Sequence, residues 1–367
     1  MKPAYIHQIA TATPSNRYHQ EDVREIMKEH VSDRRAVKSV LHRIYSQSGI
    51  ESRYSVFDDF KDGGSSRLFY NPDTRSIRVP GTQERNDLYI THSRELFTRL
   101  GRDLIDAADG VDPKDITHVI TVSCTGFYAP GPDYFVVRDL GLRPETERYH
   151  IGFMGCYAAF PALRMATSFC ESHPDAVVLV LCVELCTLHL RFDDKTDHMI
   201  SASVFADGGG GALVSAKKPV NGPAFEITSL HTALTSEGEQ DMAWTIGDSG
   251  FTMVLSTYVP EIINRNLAEL LKPAMEKNGI TPADVDRWAV HPGGRAIVDK
   301  VQASCDIPDQ KIISSRNVLR DFGNMSSATI LFVLKDVLAN NINPGEKTLA
   351  MAFGPGLTVE TGILTAV

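Results

Sequence analysis

Three short stretches, far apart along the chain, carry side chains suited to acyl chemistry. The first is Gly155-Cys156-Tyr157-Ala158-Ala159, where an apolar run leads into a cysteine and a helical pattern begins just after it. A helix N-terminus presents unpaired N–H groups and partial positive charge, which favours the thiolate, the nucleophilic form of cysteine. The second is Val290-His291-Pro292-Gly293-Gly294-Arg295-Ala296, in which a strand pattern ends on a histidine and a Pro-Gly-Gly turn opens the next helix. Strand ends are where α/β folds gather their active groups. The third is Phe322-Gly323-Asn324-Met325-Ser326-Ser327-Ala328, with Asn324 just ahead of an apolar helix. A carboxamide there can donate to a thioester oxygen. Each position also has a structural reading: an inert buried thiol, a packing histidine, a helix N-cap.

The pattern around these stretches alternates strand and helix. Residues 4–11 read as an opening strand, 20–60 as polar with helical spacing, 61–90 as irregular and 91–109 as helix. His118 to Ser123, Tyr149 to Phe153 and Ala176 to Glu184 have the length and β-branching of buried strands, with helices at Tyr134 to Leu140 and Ala158 to Glu171. Asp207-Gly208-Gly209-Gly210-Gly211 reads as a Gly-rich turn leading into a strand. The second half repeats the rhythm. Helices are predicted at Tyr258 to Asn278, Arg295 to Ser304 and Ser326 to Asn340. Strands are predicted at Arg287 to His291, Lys347 to Phe353 and Thr358 to Leu364, the last two around the turn Gly354-Pro355-Gly356. FADGGGGALVS in the first half echoes MAFGPGLTVET in the second, pointing to an internal duplication with halves 1–218 and 219–367.

The chain of 367 residues is 43% hydrophobic and 23% charged, so it can bury a large core without disulfides or metals. The formal net charge of -9 comes without any long like-charge run, which argues against nucleic acid as a partner. Six cysteines include no CxxC pair, which leaves zinc-ribbon and thioredoxin readings unsupported and no metal site expected. Several lie in apolar runs, as reduced cytosolic thiols do. The start, Met1-Lys2-Pro3-Ala4-Tyr5, has no apolar signal core, and the longest apolar run, Ala176 to Cys182, is too short to span a bilayer. A cytoplasmic location is the expectation.

Taken together, GCYAAFPALRMA, HPGGRAIVDKV and GNMSSATILFVL, in this order and at these separations, resemble the condensing enzymes of the thiolase superfamily. Within it the chain looks like the chalcone synthase group, the type III polyketide synthases. The likeness runs from SGIESRY near residue 50 to AFGPGLTVE at the end. It implies an α/β thiolase fold with duplicated αβαβα layers, and a homodimer. It implies that Cys156 takes a starter acyl group from CoA, that His291 pairs with it as an imidazolium, and that Asn324 and His291 donate to the malonyl thioester oxygen as CO2 leaves. CoA thioesters are the implied substrates, with no further cofactor.

The resemblance also assigns pocket positions. Phe205 matches a phenylalanine at the tunnel mouth, and Met253 stands where the family has a second aromatic. Cys124-Thr125 replace a pair of small polar residues of plant enzymes, and Ala129 replaces a methionine. Trp244 falls where many plant enzymes have glycine. Ser326 and Gly354-Pro355-Gly356 match lining positions, and Met242 and Cys186 are expected to face the cavity. For CoA, Arg43 matches one basic position, while two others fall near Val40 and Gln47. Lys38 can stand in, with Arg295 and Ala296 as further candidates. The CTGF segment with Ala129 points to a medium- or long-chain fatty acyl starter and to alkylpyrone or alkylresorcinol products. Open alternatives are a malonyl-only aromatic synthase, an initiating ketoacyl synthase that stops after one condensation, and a non-catalytic binding protein on the same fold.

Overall fold

The computed structural model describes residues 3–367. Met1 and Lys2, part of the N-terminal stretch read above for a leader, lie outside the described residues. The chain opens with β1 (Tyr5–Ala12) and the short β2 (Asn16–His19). Helices α1 (Gln20–His30) and α2 (Arg35–Ser46) follow, then β3 (Ser52–Ser55), which pairs back on β2. A small hairpin, β4 (Tyr70–Asn71) and β5 (Ser76–Ile77), precedes the long α3 (Thr82–Ala107). The rest of the first half runs β6 (His118–Ser123), α4 (Pro132–Asp139), β7 (Glu147–Gly152), α5 (Ala159–Ser172), β8 (Val177–Leu185), α6 (Thr196–Val204) and β9 (Asp207–Ser215). The second half opens with β10 (Phe225–Leu234) and a hairpin of β11 (Met242–Gly247) and β12 (Gly250–Leu255). It continues with α7 (Val259–Asn278), β13 (Arg287–Val290), α8 (Arg295–Ser304), α9 (Asp309–Phe322), α10 (Thr329–Ala339), β14 (Lys347–Gly354) and β15 (Thr358–Ala366).

Nine strands connect in the order β13-β14-β15-β10-β1-β9-β8-β6-β7. The seam between β10 and β1 is slight, with only Tyr5↔Glu226 and Ile6↔Phe225 in register. Outward from it the two arms share one pattern. β1/β9 and β10/β15 are antiparallel, β8/β9 and β14/β15 are antiparallel, and β6/β8 and β13/β14 are parallel. Helices α5 and α10 contact both arms and fill the space between them, while α3 covers the outer face of one arm and α7 that of the other. Composition explains the central layer. α10 buries Thr329 through Leu334 as well as Val337, and α5 buries Ala159, Ala162 and Ala166, small side chains that let a helix lie close between sheets.

Two expectations need correcting. The predicted turn at 207–211 is the first half of β9. Its glycines are there because helices lie directly on the strand: a Cβ on Gly209 would sit 2.7 Å from Leu100, and one on Gly210 would sit 2.8 Å from Leu331. The helix expected from residue 91 begins at Thr82, because Arg85 and Tyr89 are buried and extend its apolar face backward. Among the described residues no helix is long and apolar enough to cross a membrane.

Candidate active site

Cys156 follows β7 through a sharp bend. Phe153 and Gly155 both adopt left-handed backbone, φ 60° and 83°, and a Cβ on Gly155 would press on Pro355 at 2.7 Å. The turn closes by Ala158 N–H donating to Gly155 O, and α5 starts at once. The thiol therefore sits at the head of a helix buried between the two arms, with a relative exposure of 8%. His291 follows β13 directly and is held by its own N–H donating to Met351 O at 2.8 Å. Asn324 is tied on both sides. Its N–H donates to Val204 O, Ala206 N–H donates to its carbonyl, and its Oδ1 accepts from Ser326 N–H, all at 2.8 Å. The capping reading of Asn324 is thus half right: Oδ1 serves the following turn, while Nδ2 is directed to Gly293 O at 3.2 Å, beside His291.

Cys156, His291 and Asn324 line one cavity. Both ring nitrogens of His291 are buried and have no hydrogen-bond partner, so the imidazole is free to give or take a proton there. Burial pushes the Cys156 thiol up to about 11, against the pull of the Ser326 hydroxyl and the Asn324 amide. Burial also lowers His291 to about 3. Each group alone is therefore held neutral. They share the cavity without a direct hydrogen bond, since neither ring nitrogen of His291 has a partner.

Residues 2–218 match the family model described as chalcone and stilbene synthases, N-terminal domain, and residues 226–367 match the C-terminal domain of the same family. The chain belongs to the chalcone and stilbene synthase family. It is a type III polyketide synthase, an acyltransferase of the kind that condenses malonyl-CoA, on the thiolase-like fold of its neighbours. It superposes on the crystal structure of PKS-I from the brown alga Ectocarpus siliculosus with a TM-score of 0.91 at 31% identity, over 100% of this chain and 98% of that one. It superposes on the C-terminal type III polyketide synthase domain of Steely1, a type I/III hybrid from Dictyostelium, with a TM-score of 0.90 at 25% identity, over 99% of each.

In this synthase a second, larger cavity adjoins the first. Cys124, Phe205, Trp244, Met253 and Ser326 line both and form the neck between them. Met242 and Pro355 face the smaller cavity, and Thr125 and Cys186 the larger. Ala129 lines neither and is exposed in the loop between β6 and α4. Gly354 and Gly356 also stay outside the lining. A Cβ on Gly354 would strike Tyr157 at 2.4 Å, so that glycine is there to let Tyr157 pack. Arg43, Arg295 and Ala296 are exposed on α2 and α8, and Lys38, half-buried, lies 3.9 Å from Asp33.

Other groups shape the site without a motif to announce them. Glu184, fully buried at the end of β8, accepts from Cys124 N–H at 2.9 Å, Thr125 Oγ1 at 3.0 Å and Ser327 Oγ at 2.5 Å, and it pins the neck beside Ser326. Burial raises its pKa while those donors oppose the rise. Arg53, 6% exposed, donates through Nη1 to the carbonyls of Ala202 at 2.8 Å and Phe205 at 2.5 Å, and through Nε to Gln20 Oε1 at 2.9 Å. It thus caps the C-terminus of α6 with a cation and fixes the segment bridged to Asn324. His189 donates from Nε2 to Thr125 O and accepts Phe251 N–H at Nδ1, locking the β11–β12 hairpin to the neck. The only sequence signal for Glu184 is a carboxylate ending an otherwise apolar strand. Arg53 lies in the SGIESRY string, which gives it no role, and His189 leaves no signal.

Proposed function

We propose that the enzyme loads a medium- or long-chain fatty acyl group onto Cys156 and extends it with malonyl-CoA to alkylpyrone or alkylresorcinol products. The observation that carries this reading is the larger cavity, walled by apolar side chains and entered through the neck beside the triad. An alkyl chain on Cys156 would leave water for that space at a gain of about 0.8 kcal/mol per methylene.

In the proposed sequence the Cys156 sulfur attacks the acyl-CoA carbonyl while His291 takes the thiol proton, and the proton leaves with the departing CoA thiolate. Malonyl-CoA then loses CO2, and the enolate oxygen receives hydrogen bonds from His291 and from Asn324 Nδ2, which would turn from Gly293 O toward it. The carbanion attacks the acyl thioester and forms a new carbon–carbon bond. The β-ketoacyl chain leaves on CoA and Cys156 is freed. Phe205 and Met253 at the neck give the malonyl carboxylate an apolar wall, which favours its loss as neutral CO2. These steps draw on side chains and CoA thioesters alone. Arg43, Lys38, Arg295 and Ala296 are proposed to meet CoA outside the smaller cavity. A cytoplasmic homodimer completes the reading, and the open outer edge of β7 supports the pairing.

The test is turnover of an acyl-CoA series with malonyl-CoA, products identified by mass spectrometry. Highest kcat/KM with medium or long chains is expected. Activity with malonyl-CoA alone or only with an aromatic starter would overturn the reading.

A further inference from the structure

The wall of the larger cavity is interrupted by one cation that has hydrogen bonds to Thr252 and Gly250 but no ion-pair partner among the described residues. Arg191 follows the turn Cys186–His189 and lines the larger cavity but not the smaller one. Its Nη2 donates to Thr252 Oγ1 at 2.9 Å, which fixes the guanidinium against the β11–β12 hairpin, and its Nε is buried without a partner. The other basic groups of this wall are engaged. Arg53 is held by carbonyls, His198 lies 2.8 Å from Asp193, and His189 uses both ring nitrogens. Arg85, 2% exposed, is close enough to Arg191 for their charges to repel. It donates only to the carbonyls of Pro80, Leu188 and Leu190. Its acidic neighbour, Glu84, is bound by Arg78 at 3.0 Å. Among the described residues neither guanidinium has a carboxylate in ion-pair reach. One positive charge, that of Arg191, thus faces the apolar chamber with no anion beside it, and a second, that of the buried Arg85, stands behind it outside the lining.

We propose that Arg191 receives a carboxylate at the far end of the starter chain, so that the preferred substrate is an acyl-CoA whose distal carbon is oxidised to the acid. This rests on reading the larger cavity as the acyl site. A carboxylate would balance the paired guanidinium charges and accept from the orphaned side of Arg191 in the geometry arginine favours. A methyl end placed there would strip water from a cation and offer nothing in return.

The experiment compares decanoyl-CoA with the mono-CoA thioester of decanedioic acid, each with malonyl-CoA, in wild type, Arg191→Lys and Arg191→Met. Wild type should prefer the diacid thioester by about tenfold or more in kcat/KM, the range of a hydrogen bond to a charged group. Arg191→Met should abolish that preference, lowering kcat/KM for the diacid thioester and raising it for decanoyl-CoA, and Arg191→Lys should keep part of it. If Arg191→Met fails to fold, the wild-type ratio still decides. Equal use of the two thioesters, or a preference that survives in Arg191→Met, would overturn the assignment and leave the acyl cavity standing. Extension of neither thioester would overturn both.

Discussion

The smaller cavity takes its chemistry from three side chains, each at the end of an element. The larger one takes its shape from several segments at once: Val23, Ile26 and Met27 of α1, Phe57 and Phe60, the 186–191 stretch, α6 and the β11–β12 hairpin. In the first, identity decides, because a thiol, an imidazole and a carboxamide have no close substitutes. In the second, summed volume decides, and many apolar sets would serve. Substitutions should therefore act on rate in one cavity and on product in the other, and the neck is where the two behaviours meet.

The largest effect is expected from His291→Ala, which removes the proposed proton acceptor for Cys156 and a proposed donor to the enolate. Condensation should fall by about 10^3, the upper end of what loss of a single oxyanion donor costs. The same variant exposes the thiol's own titration. A thiol raised to about 11 holds little thiolate at neutral pH, so alkylation of Cys156 should speed up about tenfold per pH unit from 7 to 9. Wild type should react faster at pH 7 and vary less. Equal rates and slopes in both proteins would remove His291 from the pair.

A smaller loss, about tenfold, is expected for Arg53→Met, which frees the Phe205 segment bridged to Asn324 and leaves buried carbonyls unpaired at a cost of about 2–3 kcal/mol. Because Arg53 acts through position, malonyl-CoA decarboxylation without chain extension should rise relative to condensation, and Arg53→Lys should recover part of the coupling. A parallel fall of both activities would reduce Arg53 to a stability role. The mildest effect on rate belongs to Trp244→Ala. Trp244 Nε1 donates to Cys124 O at 2.7 Å, and its ring packs edge-on against Phe251 and His189. Opening the neck should shift the preferred starter or product length while kcat changes by less than about threefold. An unchanged product profile would show that the two cavities do not communicate through Trp244.

The same contrast explains what was legible in the sequence. That Cys156, His291 and Asn324 meet at one cavity was readable because each ends a strand or precedes a helix and sits in a distinctive string. Strands such as Val177–Leu185 were readable from β-branching, and the helices from their apolar period. The glycines of β9 were misread because their cause, the close approach of Leu100 and Leu331, lies on other elements. Arg53, His189 and Arg191 matter through partners more than 50 residues away, for instance Arg53 with Phe205, and no local pattern records such pairings.

The most direct measurement is mass spectrometry of the intact protein and its peptides after mixing with a fatty acyl-CoA in the absence of malonyl-CoA. One acyl group should appear on the peptide that contains Cys156 and vanish in Cys156→Ala. An adduct that persists in that variant, or that maps to Cys124 or Cys186, would contradict the account.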